Sequence, residues 1–593
     1  MDTNLKNYWA QKRNIIKWFV KPNSIVKNIN GKNLFYDDGL VNVTYNCVRL
    51  NIERGLGNKI AIIYFDENGI TNKITYYQLE NLINYFINLF LKKFNLENIK
   101  KKIIAIHSSA NLCSSISMLA LAKLGITFTV IFNDLPKEAI RSRLKILKSQ
   151  ILITSCNNDD FKSKIKPIQK EYSLKILRFS KDLKKNDTFR FNNFLKKKNF
   201  VSNYNYLKIK NNNPLFVLFT SGSTGTPKGI IHSNGSYLVY CKLTCERKFG
   251  INENSIILTA SDAGWINGHT YALFGPLSLG ATTILIEKPI DLLMEKTLNY
   301  MLINFKINIL YMPVTLIRLI RATRSKKIFY SKYLKILGSM GEPLSYNVAK
   351  WFGKAFSKKN LPIINTYFQT ETGGIICSPS YKDKNLKEKY GSVGTQLTKH
   401  LKVFLDKKNS EIKIRNPWPG CMIDCLNNNN MWKEYFDKKK NFKLFDYGEM
   451  RNSKDLMVNG RIDDVINIRG HRVGSGEVES VLLKNTSIKE VCAIAVDDEL
   501  ESKKLVIFVS LKKKINKNQI NKIITNNFGN FLKPKEIFII KELPKTRSGK
   551  ILRRILRKMY VDPLNKNLGD LSTIVNAKEL TQIKKIIQYE KSR

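Results

Sequence analysis

The chain has 593 residues, 43% of them hydrophobic, and carries a formal net charge of +52. That length exceeds what one hydrophobic core supports, so two or more domains are expected. The charge would suit a polyanion or an anionic membrane. However, the basic residues are spread along the whole chain, Lys is enriched together with Asn and Ile, and no RNP-like aromatic motif or zinc finger accompanies them. Codons for all three residues are rich in A and T, so an A+T-biased genome accounts for the excess, and no specific nucleic-acid partner is expected. Nine cysteines without a C-x-x-C pair read as reduced thiols of a cytoplasmic protein.

Taken in order, residues 1–19 lack an apolar core of signal-peptide length. Strand-like runs follow at "KIAIIYF", "KIIAIHS", "ITFTVIF" and "QILITS", with an amphipathic helix over "YYQLENLINYFINLFLKKF". This alternation is an α/β pattern. The most apolar long stretch, residues 114–132, carries Lys123 and Gly125 in its middle. It reads as a helix ending at Lys123, a glycine turn and a buried strand, not as a membrane span. Residues 181–213 are polar and low in complexity, as a solvated connection would be. A second α/β stretch runs from about 214 to 380, and residues 400–460 read as short strands and turns. From 463 onward, "EVCAIAVDDE", "KLVIFVSLKK" and "EIFIIKEL" predict a small α+β domain.

Near the start of the second stretch lies "FTSGSTGTPKGI", residues 219–230. Glycines allow turns closed to other residues, and successive exposed N–H groups in such turns make an anion-binding concavity. The hydroxyls of Thr220, Ser221, Ser223 and Thr224 add donors around Gly222 and Gly225, and Lys228 adds a compact positive charge. Phosphate is the natural guest, although G-x-x-x-x-G-K-[ST] does not fit. The strand-like "PLFVLF" leading into it favours a fixed loop over a flexible linker.

With "SDAGWINGHTYALFGPLSLGATTIL", "GSMGEP", "YFQTETGG", "GRIDDVINIRGHR", "LPKTRSGKILRRILRK" and the tail "NLGDLSTI" following in order, the chain resembles the adenylate-forming acyl-CoA synthetases along nearly its whole length, most of all the acetate–CoA ligases (acetyl-CoA synthetases). The resemblance implies an α/β enzyme with a large N-terminal domain of α/β subdomains, residues 1–462, and a small mobile α+β C-terminal domain, residues 463–593. It also implies two steps. A carboxylate attacks the α-phosphate of ATP and releases pyrophosphate, and coenzyme A then takes the acyl group and releases AMP. The implied partners are acetate, ATP, CoA and Mg²⁺, with no membrane.

The same resemblance assigns residues. Lys550, Glu371 and Thr220 are the catalytic set, Glu371 also being the Mg²⁺ ligand. Besides the loop, ATP and AMP fall to Gly341, Glu342, Pro343, Asn365, Thr366, Tyr367, Phe368, Gln369, Thr370, Asp446, Arg461 and Arg472. The bidentate forks of the arginines suit ribose and phosphate oxygens. The family's Thr-Gly before the ribose-binding Asp is here Leu444-Phe445. Asp463 matches the hinge, needed because Lys550 serves step one and must then leave for the thiol. Arg469, Gly470 and Asn267 match the CoA path. Acetylation of the catalytic lysine is a family habit that would remove the charge of Lys550.

The acyl pocket is implied to comprise Trp265, Ile266, Asn267, Met340 and Phe368. Acetate enzymes usually carry Trp at the Phe368 position, whereas Ile266 and Met340 stand where Val is typical and Asn267 where Thr is. The volume changes oppose one another, so a repacked but still small pocket is expected, for acetate first and propionate second. Two alternatives remain open: an adenylating enzyme that serves a carrier protein, and a nucleic-acid-binding protein.

Overall fold

The computed structural model describes residues 3–591 except 30, 100–101, 180–187, 190–203, 221–226, 325–328, 330, 357–360, 384–385, 427–428, 453, 463–464, 469–470, 499–501, 529–531, 547–548, 566–567, 569–570 and 572–573. Two compact units make up the chain: Met1–Thr220, Lys228–Val403 and Ile414–Phe442 in the first, and Ser221–Pro227, Phe404–Lys413 and Lys443–Arg593 in the second.

The first unit holds two large sheets. One has eight strands in the order Thr188–Phe189, Lys175–Phe179, Ile151–Thr154, Ile104–His107, Phe128–Ile131, Phe216–Thr220, Lys228–His232 and Asp424–Cys425. Its strands run parallel up to Phe216–Thr220 and antiparallel for the last two pairings. The other has seven, in the order Ile363–Asn365, Ile336–Met340, Ile309–Pro313, Ile256–Thr259, Thr282–Ile286, Ile60–Phe65 and Thr71–Thr75. All are parallel except the last pair. Ile60–Phe65 therefore lies in the sheet of the second α/β stretch although it opens the first. Its run is buried almost throughout, so no polar alternation marks which sheet it must join.

The helix Tyr76–Lys93 starts at a capping box formed by Thr75 and Gln78 and buries one face. Leu112–Lys123 is capped by Asn111 and buried on every side. It ends before Gly125, at φ +67°, and the strand Phe128–Ile131, as the lysine and glycine in the sequence predict. No helix among the described residues is long and apolar enough to cross a membrane. All nine cysteines are free thiols, eight of them buried.

The second unit is built on the antiparallel pair Ile488–Asp498 and Ser502–Leu511, with Glu536–Ile539 added in parallel. Period-two alternation assigns its two faces. Cys492, Ile494, Val506, Phe508 and Phe538 pack on the helices Arg553–Val561 and Ala577–Lys591, while Val491, Ala493, Ile507, Val509 and Ile537 pack on Ser475–Leu482 and Lys517–Phe528. A four-stranded sheet of Val403–Leu405, Glu411–Ile414, Phe442–Arg451 and Asp455–Arg461 belongs largely to this unit, and its last two strands are longer than the short ones expected.

Candidate active site

The phosphate-loop candidate joins the antiparallel strands Phe216–Thr220 and Lys228–His232, with Thr220 directly opposite Lys228. Both residues thus stand at the mouth of the connection. Ser221, Gly222, Ser223, Thr224 and Gly225 lie outside the described residues. The Lys228 ammonium is 3.7 Å from a carboxylate oxygen of Glu434 and 5.6 Å from the ring centroid of Tyr435.

The segment after the strand Ile363–Asn365 is fixed group by group. Ser339 Oγ donates to Asn365 Oδ1 (3.0 Å), and Asn365 Nδ2 donates to the Ser392 carbonyl (2.8 Å). The Thr366 hydroxyl donates to the Ser339 carbonyl (2.8 Å) and lies 2.6 Å from the Tyr311 hydroxyl. Tyr367 exchanges backbone bonds with Cys377 and Ile376. Gln369 and Thr372 cap the short helix Thr370–Thr372 reciprocally. Gly373 follows at φ +69°, where a Cβ would meet the Gly420 carbonyl oxygen at 2.1 Å, so only glycine lets the two backbones approach.

Glu371, buried on this turn, accepts a hydrogen bond from the Tyr435 hydroxyl at 2.8 Å. His232 Nε2 meets the Thr370 carbonyl at 2.7 Å, and burial pushes the imidazole down to about 4, so it is neutral at pH 7 and donates from Nε2. Gly341 ends the strand Ile336–Met340 at φ +86° with open space where a Cβ would stand. Beside it, Arg318 donates to the Glu342 carboxylate (2.9 Å) and the Pro343 carbonyl (3.2 Å) and so fixes that turn.

Of the acyl-pocket candidates, Met340 belongs to a buried cluster with Tyr271 and Ile364, and Phe368 packs against it, edge to Tyr271 at 5.5 Å between centroids. Ile266 and Asn267 are buried on the turn Ile266–His269, and neither amide atom of Asn267 has a hydrogen-bond partner among the described residues. Trp265 stands apart from that cluster, 41% exposed, with its ring 5.0 Å from that of Phe132.

In the second unit, Asp446 and Arg461 are directly opposite in register, with Arg461 Nη1 3.3 Å from Asp446 Oδ1. The Arg461 guanidinium also lies 5.8 Å over the ring of Phe445. Phe445 sits at φ +53°, in the left-handed region that a glycine would occupy without cost. Lys550 is exposed at the end of a closed turn. Thr546 N donates to the Lys550 carbonyl (2.9 Å), Gly549 N to the Thr546 carbonyl (2.8 Å), and Lys550 N to Thr546 Oγ1 (3.2 Å), with Gly549 at φ +81°. Arg472 is on the strand His471–Gly474, paired with Asn467. Asp463, Arg469 and Gly470 lie outside the described residues.

Residues 51–422 match the AMP-binding enzyme family, and residues 477–550 match the AMP-binding enzyme C-terminal domain. The chain belongs to the AMP-binding enzyme family. It is 30% identical to a protein of Helicobacter acinonychis named acetyl-coenzyme A synthetase, over 98% of this chain and 93% of that protein. It is 29% identical to a protein of the same name from Psychromonas ingrahamii, over 97% and 93%. Its fold matches the solved structure of acetoacetyl-CoA synthetase from Streptomyces lividans at a TM-score of 0.86, with 15% identity, covering 99% of this chain and 93% of that one.

For this AMP-binding enzyme, sequence reasoning missed Tyr435, Glu434, His232 and Arg318. Tyr435 falls in the polar run "NNNNMWKEYFDKKKN". The available signal was the cluster of Trp432, Tyr435 and Phe436, three rings within five residues of an otherwise polar run, at the end of the helix Asn429–Glu434.

Proposed function

We propose that this enzyme activates acetate with ATP, forming acetyl-AMP and pyrophosphate, and then transfers the acetyl group to coenzyme A, forming acetyl-CoA and AMP. The match across nearly the full length of proteins named acetyl-coenzyme A synthetase carries this reading. Lys228 and Thr220 would bind the phosphates, and the open space at Gly341 would accept the adenine side of the nucleotide. Asp446 and Arg461 would meet the ribose. Lys550 would bring its charge to the α-phosphate as the carboxylate oxygen attacks and pyrophosphate leaves.

A single buried carboxylate suits Mg²⁺, which keeps waters and phosphate oxygens as most of its ligands, so Glu371 would hold a metal that arrives on ATP. When bound, Mg²⁺ supplies charge neutralisation between the phosphates. In step two the CoA sulfur attacks the acetyl carbonyl, its proton goes to solvent, and AMP departs. For this the 463–593 part would swing about Asp463 and withdraw Lys550, while Arg469 and Gly470 line the thiol's path. The exposure of Lys550 also leaves it open to acetylation, which would cancel step one.

Phe368 in place of a tryptophan supports a second reading, propionate, because the smaller ring leaves more room beside Met340 and Tyr271. The test is acid-dependent exchange of labelled pyrophosphate into ATP. Exchange with acetate exceeding that with propionate and butyrate is expected; none with any of the three would overturn the reading.

A further inference from the structure

We infer that Tyr435 is a positioning residue of the nucleotide site, joining the loop cation Lys228 to the carboxylate Glu371. This rests on the reading of those two residues as phosphate and Mg²⁺ contacts. The Tyr435 side chain is 4% exposed, and its hydroxyl donates to Glu371 Oε1 at 2.8 Å. The face of the same ring lies 5.6 Å from the Lys228 ammonium, near enough for a cation–π attraction. Glu434, one residue earlier, has a carboxylate oxygen 3.7 Å from the same ammonium. Lys228 and Glu371 are far apart in sequence, and this one aromatic residue touches both.

The ring itself is held. It stacks on Phe442 at 5.7 Å with 21° between planes, and Phe442 meets Trp418 edge to face at 5.3 Å. Trp418 Nε1 donates to the Thr372 carbonyl at 3.0 Å, and Met422 N donates to the Glu371 carbonyl at 2.9 Å. The turn carrying Glu371 is thus fixed through its backbone by Trp418 and Met422 and through its carboxylate by Tyr435. A phenol bonded to one carboxylate oxygen sets the plane of the group and so the direction of the other. A tyrosine kept only for packing would satisfy its hydroxyl on any nearby carbonyl. Here the acceptor is an anion and the ring faces a cation, so the residue sets the geometry of both charges.

Tyr435→Phe keeps the ring and its stack and removes the hydroxyl that donates to Glu371. Calorimetric titration of the full chain with ATP, at graded Mg²⁺ and in EDTA, reads the effect. Tyr435→Phe should raise the Mg²⁺ needed for half-maximal tightening about tenfold and leave metal-free ATP affinity unchanged, the size expected for an outer-shell contact. Tyr435→Leu should in addition weaken metal-free ATP, because Lys228 loses the ring beneath it. Adding Tyr435→Phe to Glu371→Gln should cause no further loss.

A Tyr435→Phe protein with wild-type Mg²⁺ dependence would overturn the inference, as would additive losses in the double variant. If Tyr435→Phe shifts the Mg²⁺ dependence while the wild type activates none of acetate, propionate and butyrate, the positioning role stands and the reaction reading falls. If the wild type activates acetate and Tyr435→Phe changes nothing, the reverse holds.

Discussion

The two units hold their candidate site residues differently. In the first, Glu371, Asn365 and Thr366 are buried and tied by side-chain bonds to Tyr435, Ser392 and Ser339. In the second, Lys550 is exposed and its ammonium has no partner among the described residues; only its backbone is fixed, by Thr546. A group that must be complementary to ATP before it arrives is worth pinning, since preorganised dipoles and charges cost no rearrangement at the moment of reaction. If Lys550 serves one step and obstructs the next, as proposed, an unpaired ammonium suits it, because a salt bridge would have to be broken at every turnover.

The sharpest way to break this contrast is Lys550→Ala. It should lower acetyl-AMP formation about a thousandfold, the upper range for removing one charge-stabilising donor, and leave ATP affinity and CoA transfer from supplied acetyl-AMP nearly intact. Single-turnover assays of the separate half-reactions check this; equal loss in both would mean that Lys550 supports the fold and not the step. Glu371→Gln should act on the pinned side, weakening Mg·ATP binding about tenfold to a hundredfold with little effect on ATP in EDTA, read by calorimetry.

Phe368→Gly tests the proposal that Phe368 walls the acyl pocket. The ring removed should admit butyrate to hexanoate, each added methylene contributing about 0.8 kcal/mol, while acetate loses its wall. A comparison of kcat/KM across chain length checks it, and a uniform drop with acetate still preferred would make Phe368 merely a packing residue.

Acid should act on the pinned unit first. Burial lowers His232 and His107 to about 4 and His269 to about 3, below the ordinary value of 6.5, so the unfolded chain binds protons that the folded one refuses. Their stabilisation is complete above pH 6.5 and is lost as the pH falls from 6.5 towards 4, and towards 3 for His269, at about 3 kcal/mol for a histidine lowered to about 4. The Tm should fall across that window, and His232→Gln should flatten the fall. The smallest effect is expected at Phe445, whose left-handed backbone costs about 1 kcal/mol. Phe445→Gly should relieve that strain but also remove the ring beneath Arg461, giving a small net change in denaturant midpoint and a modest weakening of ATP binding.

These contrasts were unevenly legible in the sequence. The helix Tyr76–Lys93, the strand pair Ile488–Asp498 and Ser502–Leu511 and the turn before Lys550 follow from period, caps and glycine, because local chemistry decides them. The ordered motifs pointed to the family because its chemistry needs many groups together. The placement of Ile60–Phe65 in the second sheet and the bond from Tyr435 to Glu371 are long-range choices, and no local pattern encodes them. The replacement of the family's glycine by Phe445 was visible, but not that the Phe445 backbone takes the left-handed conformation.

The most direct test of the account is product analysis of one reaction mixture: purified chain, ATP, Mg²⁺ and acetate, with and without CoA. The account predicts pyrophosphate and enzyme-bound acetyl-AMP without CoA, and equimolar pyrophosphate, AMP and acetyl-CoA with it. Release of ADP and phosphate, or adenylate that persists when CoA is added, would contradict it.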